Sequence, residues 1–201
     1  MKKIDFILAL VCGEGVGLLF LWLLKNSPFS FPILNFTVPV AFPALSLFAV
    51  YLAEIVGKKY LFFYQLVKFA LVGALFAVFD LIILNFLMLW LGIEKGEMVK
   101  YAIFVALSFT IVTVFKYFAN KYWAFEKTEK ERMEKEFGTF FVVTVISGFI
   151  QTGVASLVFK FLSPLSFKIS ELLIGNVGKI FGIFVASLWN FLGYKFVVFK
   201  K

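Results

Sequence analysis

Six stretches of this chain, near Ile4–Leu24, Phe36–Val56, Phe69–Ile93, Tyr101–Tyr122, Phe137–Phe159 and Leu172–Tyr194, stay apolar for the length of a membrane helix. A helix needs about 20 such residues to cross the roughly 30 Å hydrocarbon core of a bilayer. In lipid every backbone amide must find its partner inside the protein, so runs of this kind are helices. A closed barrel would alternate apolar and polar residues with period two, and that alternation is missing. The chain reads as an all-α polytopic membrane protein with six transmembrane helices. Composition enters at this point: 62% of the 201 residues are hydrophobic and 16% charged. A soluble domain is about half apolar and about a quarter charged, and one of this length could not hide so much apolar surface.

The first run follows Lys2 and Lys3 and so resembles a secretory signal. It is about twice as long as the usual apolar region of a signal, and no small-x-small cleavage site precedes Asn26, so it reads as a retained span. The second is approached through Pro32, Pro39 and Pro43. Proline removes an amide donor and crowds the preceding turn, so the regular helix is expected from near Pro43.

Alternate loops differ in positive charge. One side of the membrane collects 14 of the 20 Lys and Arg residues, which makes it cytoplasmic. Both termini fall on that side, as an even number of spans requires. The expected location is the cytoplasmic membrane, with a multi-pass topology. The net charge of +8 is spread over helix ends. It suits contact with anionic lipid headgroups rather than with nucleic acid. With no histidine and a single cysteine, Cys12, the chain offers neither a Cys/His nucleophile pair nor a transition-metal site; no metal and no cofactor is expected.

Residues 116–125 read KYFANKYWAF and residues 190–199 read NFLGYKFVVF. Aligning Phe125 with Phe199 sets Asn120 opposite Tyr194, Lys121 opposite Lys195 and Lys116 opposite Asn190. Upstream, KFALVGALFAVFD (68–80) lies against TFFVVTVISGFIQ (139–151), with Asp80 opposite Gln151. The third and fourth spans (65–125) therefore read as repeated in the fifth and sixth (137–199), joined by a charged linker, 126–136. Two spans separate the starts of the copies, so both enter from the same side as parallel repeats. Residues 1–60 form a separate N-terminal pair of helices before a four-helix domain, 61–201.

On these motifs, the segment from about Gln65 to Phe199 resembles the GtrA-like membrane proteins. Their four spans carry a pattern close to Asn-x3-Asn-Arg/Lys-x-Trp-x-Phe at the cytoplasmic ends of the second and fourth. The first copy here keeps Asn120, Lys121, Trp123 and Phe125 but has Lys116 at the leading Asn. The second keeps Asn190, Lys195 and Phe199 but has Tyr194 and Val197 in place of Asn and Trp. Asp80 falls where that family commonly has an acid. The resemblance implies flipping of a polyprenyl-phosphate-linked sugar across the membrane for cell-surface polysaccharide synthesis. The alternative it implies is a non-transporting membrane anchor or regulatory partner of a polyprenyl-phosphate glycosyltransferase. It assigns nothing to residues 1–60.

The polar residues fit that chemistry in type. Lys116, Asn120, Lys121, Asn190 and Lys195 are candidates for binding the headgroup, since lysines donate to phosphate and amides both donate to and accept from sugar hydroxyls. The plainer reading is anchoring: lysines snorkelling at helix ends, with Trp123, Phe125 and Phe199 as an interfacial aromatic belt. Glu14, Asp80, Gln151 and Lys179 lie deeper. Intramembrane ionisable groups point to function by default, and an Asp80–Lys179 pair or a protonated acid are the two readings. Small residues recur at four-residue spacing in Gly178, Gly182, Ala186 and Asn190, and in Thr144, Gly148 and Thr152, which suits close helix packing. The linker reads as a short solvated helix supported by Glu126–Lys130 and Glu131–Lys135 pairs. No soluble domain is large enough to house catalysis, and the cytoplasmic acids sit in one charge-balanced run, so the chain is expected not to be an enzyme. A lipid-linked sugar, the bilayer itself, a glycosyltransferase and further copies of the chain are the expected partners.

Overall fold

A computed structural model describes residues 1–25, 31–127, 133–165 and 170–198. Among them every regular element is helical. The order is α1 Lys3–Lys25, α2 Leu34–Gly57, α3 Leu61–Trp90, α4 Met98–Ala119, α5 Met133–Leu162 and α6 Glu171–Gly193. All six are long and apolar enough to cross a membrane. Both α4 and α6 run on into a five-residue π-helical segment, Asn120–Ala124 and Tyr194–Val198 respectively. The two segments start 74 residues apart, the offset at which the aligned sequence copies end.

Two boundaries differ from the sequence expectation. Helix α2 starts at Leu34 and carries Pro39 and Pro43 inside it. A proline within a membrane helix is tolerated where the surrounding helices accommodate it; one turn on, the Ser46 hydroxyl stands 2.6 Å from the Ala9 carbonyl oxygen and 2.9 Å from that of Pro43, which ties α2 to α1. Helix α3 starts at Leu61, well before Phe69, and takes Lys68 into its apolar surroundings. A reading for uncharged runs stops at that lysine. The helix does not, because Lys68 is paired.

The chain divides into two compact units, Met1–Val78 with Ala119–Glu126, and Phe79–Phe118 with Lys127–Lys201. In the first, α1 and α2 pack closely where Gly13 lies. A Cβ there would stand 2.6 Å from Pro43 Cα and 2.7 Å from the Phe42 carbonyl oxygen, so only glycine permits this approach. Cys12, Val72 and Trp123 form a small apolar core in that unit. In the second, Leu84, Met88, Tyr101, Phe104, Val105, Ala155, Phe159 and Ile174 form the core, with the Tyr101 and Phe159 rings stacked at 4.4 Å. Ser170 caps the start of α6: its hydroxyl accepts from the Leu173 amide and so satisfies one of the free donors of the first turn. Its small-residue face then closes on α5: a Cβ at Gly178 would lie 2.7 Å from the Ala155 carbonyl oxygen, and one at Gly182 would lie 2.5 Å from that of Gln151.

Candidate functional site

In the second unit the deepest polar group is an ion pair. Lys179 Nζ on α6 stands 2.9 Å from Asp80 Oδ1 on α3, and Lys179 is wholly withdrawn from solvent. Two neutral acceptors on α4 complete its surroundings: Nζ donates to Ser108 Oγ at 2.9 Å and to the Val105 carbonyl at 3.2 Å. The second oxygen of Asp80 accepts from Gln151 Nε2 on α5 at 3.0 Å. Four helices thus meet on one carboxylate and one ammonium. Asp80 is ten residues from the end of α3, which is about 15 Å at the helical rise. Lys116 and Tyr101 on α4 lie within electrostatic reach of the same carboxylate.

Around that centre the seam between α5 and α6 carries further polar groups. Thr144 Oγ1 and Tyr194 OH share a hydrogen bond of 3.1 Å. On α5, Ser147 occupies the same face as Gln151, one turn earlier. Ser147 Oγ and Asn190 Oδ1 are buried and have no hydrogen-bond partner among the described residues. Helices α4 and α5 also line an apolar groove of about 570 Å³, whose walls include Phe109, Thr113, Tyr117, Phe140, Thr144, Gly148 and Thr152. The Thr144-Gly148-Thr152 stripe therefore faces this groove, and Gly148 sits against the Phe109 ring.

The first unit holds a second cluster, which the sequence did not single out. The Asp5 carboxylate near the start of α1 receives Trp123 Nε1 at 2.7 Å and Tyr64 OH at 2.7 Å, and it pairs with Lys68 Nζ at 2.9 Å. Lys68 also pairs with Glu126 Oε1 at 2.8 Å, and Lys2 with Glu126 Oε2 at 2.9 Å. Burial alone would raise the Glu126 carboxyl, but hydrogen bonds from Lys68 and Lys2 outweigh it and hold the group below its usual range. The hydrogen bond to Glu126 raises Lys2 in turn.

The candidates named from sequence fall as follows. Asn120 and Lys121 belong to the first unit and are buried. Lys116, Asn190 and Lys195 belong to the second, Asn190 buried and the two lysines half-buried. Trp123 and Phe125 turn inward, at 6% and 4% exposure, the former because its indole N–H has Asp5 to donate to. Phe199 lies outside the described residues, as do Lys130 and Glu131 of the linker pairs. Glu14 is half-buried on α1. The π-helical turn wraps one residue more than an α-turn does, which lets Asn120, Lys121, Trp123 and Ala124 all face inward. No cluster of three or more His, Cys, Asp or Glu side chains that could hold a metal occurs among the described residues.

Residues 68–199 match the family described as the GtrA/DPMS transmembrane domain. The chain belongs to this family. The GtrA/DPMS segment starts at Lys68 of the Asp5 cluster and takes in the whole of the ion-pair site of the second unit: Asp80, Ser108, Gln151 and Lys179. Asp5, Tyr64 and the rest of α1 and α2 lie before it. No curated protein and no solved structure matches the chain.

Proposed function

We propose that this GtrA/DPMS protein translocates a polyprenyl-phosphate-linked sugar from the cytoplasmic to the outer leaflet of the cytoplasmic membrane, with both of its termini cytoplasmic. The observation that carries the reading is the polar seam of the second unit. A fully buried ammonium with its carboxylate, amide and hydroxyl partners, and two further buried polar atoms without a hydrogen-bond partner among the described residues, lie inside an apolar helical unit. An anionic headgroup with a hydroxyl-rich sugar needs such groups, because a charge at mid-membrane costs at least about 2.5–3.5 kcal/mol. The prenyl tail keeps to lipid or to the apolar groove between α4 and α5. Lys116, Asn190 and Lys195 supply capture chemistry at the end of the seam, and Asn120 and Lys121 offer the same types within the first unit. In this role the protein acts as a carrier rather than an enzyme.

Photoaffinity labelling tests the reading. A prenyl-phosphoglucose carrying a diazirine in its prenyl chain is expected to mark groove residues such as Thr113 and Thr144, and unlabelled probe should compete while phosphatidylglycerol does not. Labelling that ordinary phospholipid suppresses equally would overturn it. The second reading, a non-transporting partner of a glycosyltransferase, has one observation in its favour: Lys179 is already neutralised by Asp80 and needs no ligand to be stable. Leaflet exchange separates the two.

A further inference from the structure

We propose that Asp80 is an exchangeable counter-ion, replaced on Lys179 by the phosphate of the passing headgroup while it takes up a proton, so that translocation is coupled to protons. This rests on the translocation reading and adds to it the energy source and the group that responds.

Lys179 is arranged to outlast the loss of its carboxylate. Of its three acceptors only Asp80 carries charge, and Ser108 Oγ and the Val105 carbonyl would hold the ammonium in place when Asp80 leaves. An ammonium left buried with neutral partners alone is strongly unfavourable, and an incoming anion removes that penalty.

Asp80 is likewise prepared for both protonation states. Its Oδ2 now accepts from the Gln151 amide nitrogen. A primary amide carries donor and acceptor on one plane, and half a turn about its last torsion would present Oε1 to a protonated carboxyl. Neither state leaves the acid without a partner, and no helix has to move.

The charges balance. A sugar phosphodiester brings one negative charge and the proton one positive charge; Asp80 becomes neutral, Lys179 stays cationic, and the net charge of the site is unchanged. The proton comes from water on the side from which the headgroup arrives. Among the described residues, the charged and titratable groups that act on Asp80 are Lys179 on α6, in direct contact, with Lys116 and Tyr101 on α4 within electrostatic reach, and the α5 partner is the neutral Gln151. Phosphate on Lys179 weakens the hold of that ammonium on the carboxylate, so the anion and the proton favour each other's binding to the same extent.

The test is infrared difference spectroscopy on the full chain in phosphatidylglycerol nanodiscs, on addition of farnesyl phosphoglucose. Binding is expected to produce a protonated-carboxyl C=O band that Asp80→Asn removes and Asp80→Glu shifts. Probe affinity should tighten about tenfold for each unit the pH is lowered where one proton is taken up, and Asp80→Asn should abolish that slope. Binding with no carboxyl band, a band that survives in Asp80→Asn, or no binding at all overturns the proposal. If Asp80→Asn fails to fold, the wild-type band and slope with the shift in Asp80→Glu still decide. Leaflet exchange of the probe is measured in parallel: exchange without the band leaves translocation standing and removes proton coupling, whereas the band without exchange leaves the exchange of counter-ions on Lys179 standing and removes translocation and its coupling.

Discussion

Lys68 Nζ stands 2.9 Å from Asp5 Oδ1, and both side chains are almost wholly withdrawn from solvent. Asp5 lies outside the segment that matches the GtrA/DPMS family, while Lys68 is the first residue inside it. The N-terminal helix therefore supplies the carboxylate that neutralises a buried family-segment lysine and receives the indole N–H of Trp123. Residues 1–60, to which the family resemblance assigns nothing, supply Asp5 and Lys2 to this cluster.

Removing one partner of that pair should cost far more than removing both. Asp5→Ala leaves an indole N–H and a phenol without their acceptor and the buried Lys68 ammonium with Glu126 alone, and is expected to destabilise the protein by about 3–5 kcal/mol. The double variant Asp5→Asn with Lys68→Met, which keeps an acceptor for the Trp123 indole while removing both charges, should recover most of this. Equilibrium unfolding in detergent, read by Trp fluorescence, measures both.

Acid should loosen the same corner through Glu126. Its folded value is held below the ordinary 4.5, so its contribution is complete above that pH and is lost as pH falls through the depressed folded value. Hydrogen-exchange protection near Glu126, taken relative to the intrinsic rate at each pH, should fall on acidification below about pH 4.5 in the wild type. Glu126→Gln should show the lower protection already at neutral pH and a flatter acid response.

The contact between α5 and α6 predicts a contrast between glycines. Gly182→Ala drives a methyl against the Gln151 carbonyl, and Gly178→Ala does the same at Ala155. Each is expected to destabilise by about 1–3 kcal/mol. At Gly153, on α5 of the same helix pair, an added Cβ would meet nothing within 4 Å, and Gly153→Ala should be neutral or mildly stabilising. Thermal unfolding of the three variants distinguishes packing from a general effect on helix propensity.

Asn85 and Asn176 exchange two side-chain hydrogen bonds, at 2.7 and 2.9 Å. Asn85→Leu strands the Asn176 amide and should cost about 1–3 kcal/mol, whereas Asn85→Leu with Asn176→Leu should cost clearly less. A double-mutant cycle on unfolding free energy reads the coupling.

The spans are legible in the sequence because length and charge decide what can cross a bilayer. The start of α2 is not, because proline's cost inside a helix depends on tertiary surroundings that a linear pattern does not contain. Asp80 and Lys179 can be proposed as partners because deep charges in this chain are few. The aligned copies also set Asp80 opposite Gln151, and these two side chains are hydrogen-bonded. The Asp5 cluster is hidden from a sequence reading for a physical reason. Asp5 and Lys68 sit near the ends of apolar runs, where a charge ordinarily meets water, and nothing in a linear pattern says that Tyr64, Trp123 and Glu126 gather around them. That Trp123 faces inward is hidden for the same reason: the fold brings its indole N–H a buried acceptor, Asp5.

Leaflet exchange of a fluorescent prenyl-phosphoglucose in liposomes bearing the wild-type chain or Lys179→Met tests the central claim most directly. The account predicts wild-type exchange at least about tenfold above protein-free vesicles, a barrier difference of about 1.4 kcal/mol, and a return to the protein-free rate in Lys179→Met with helical content intact. Wild-type exchange no faster than bare vesicles, or equal rates in the two proteins, would contradict it.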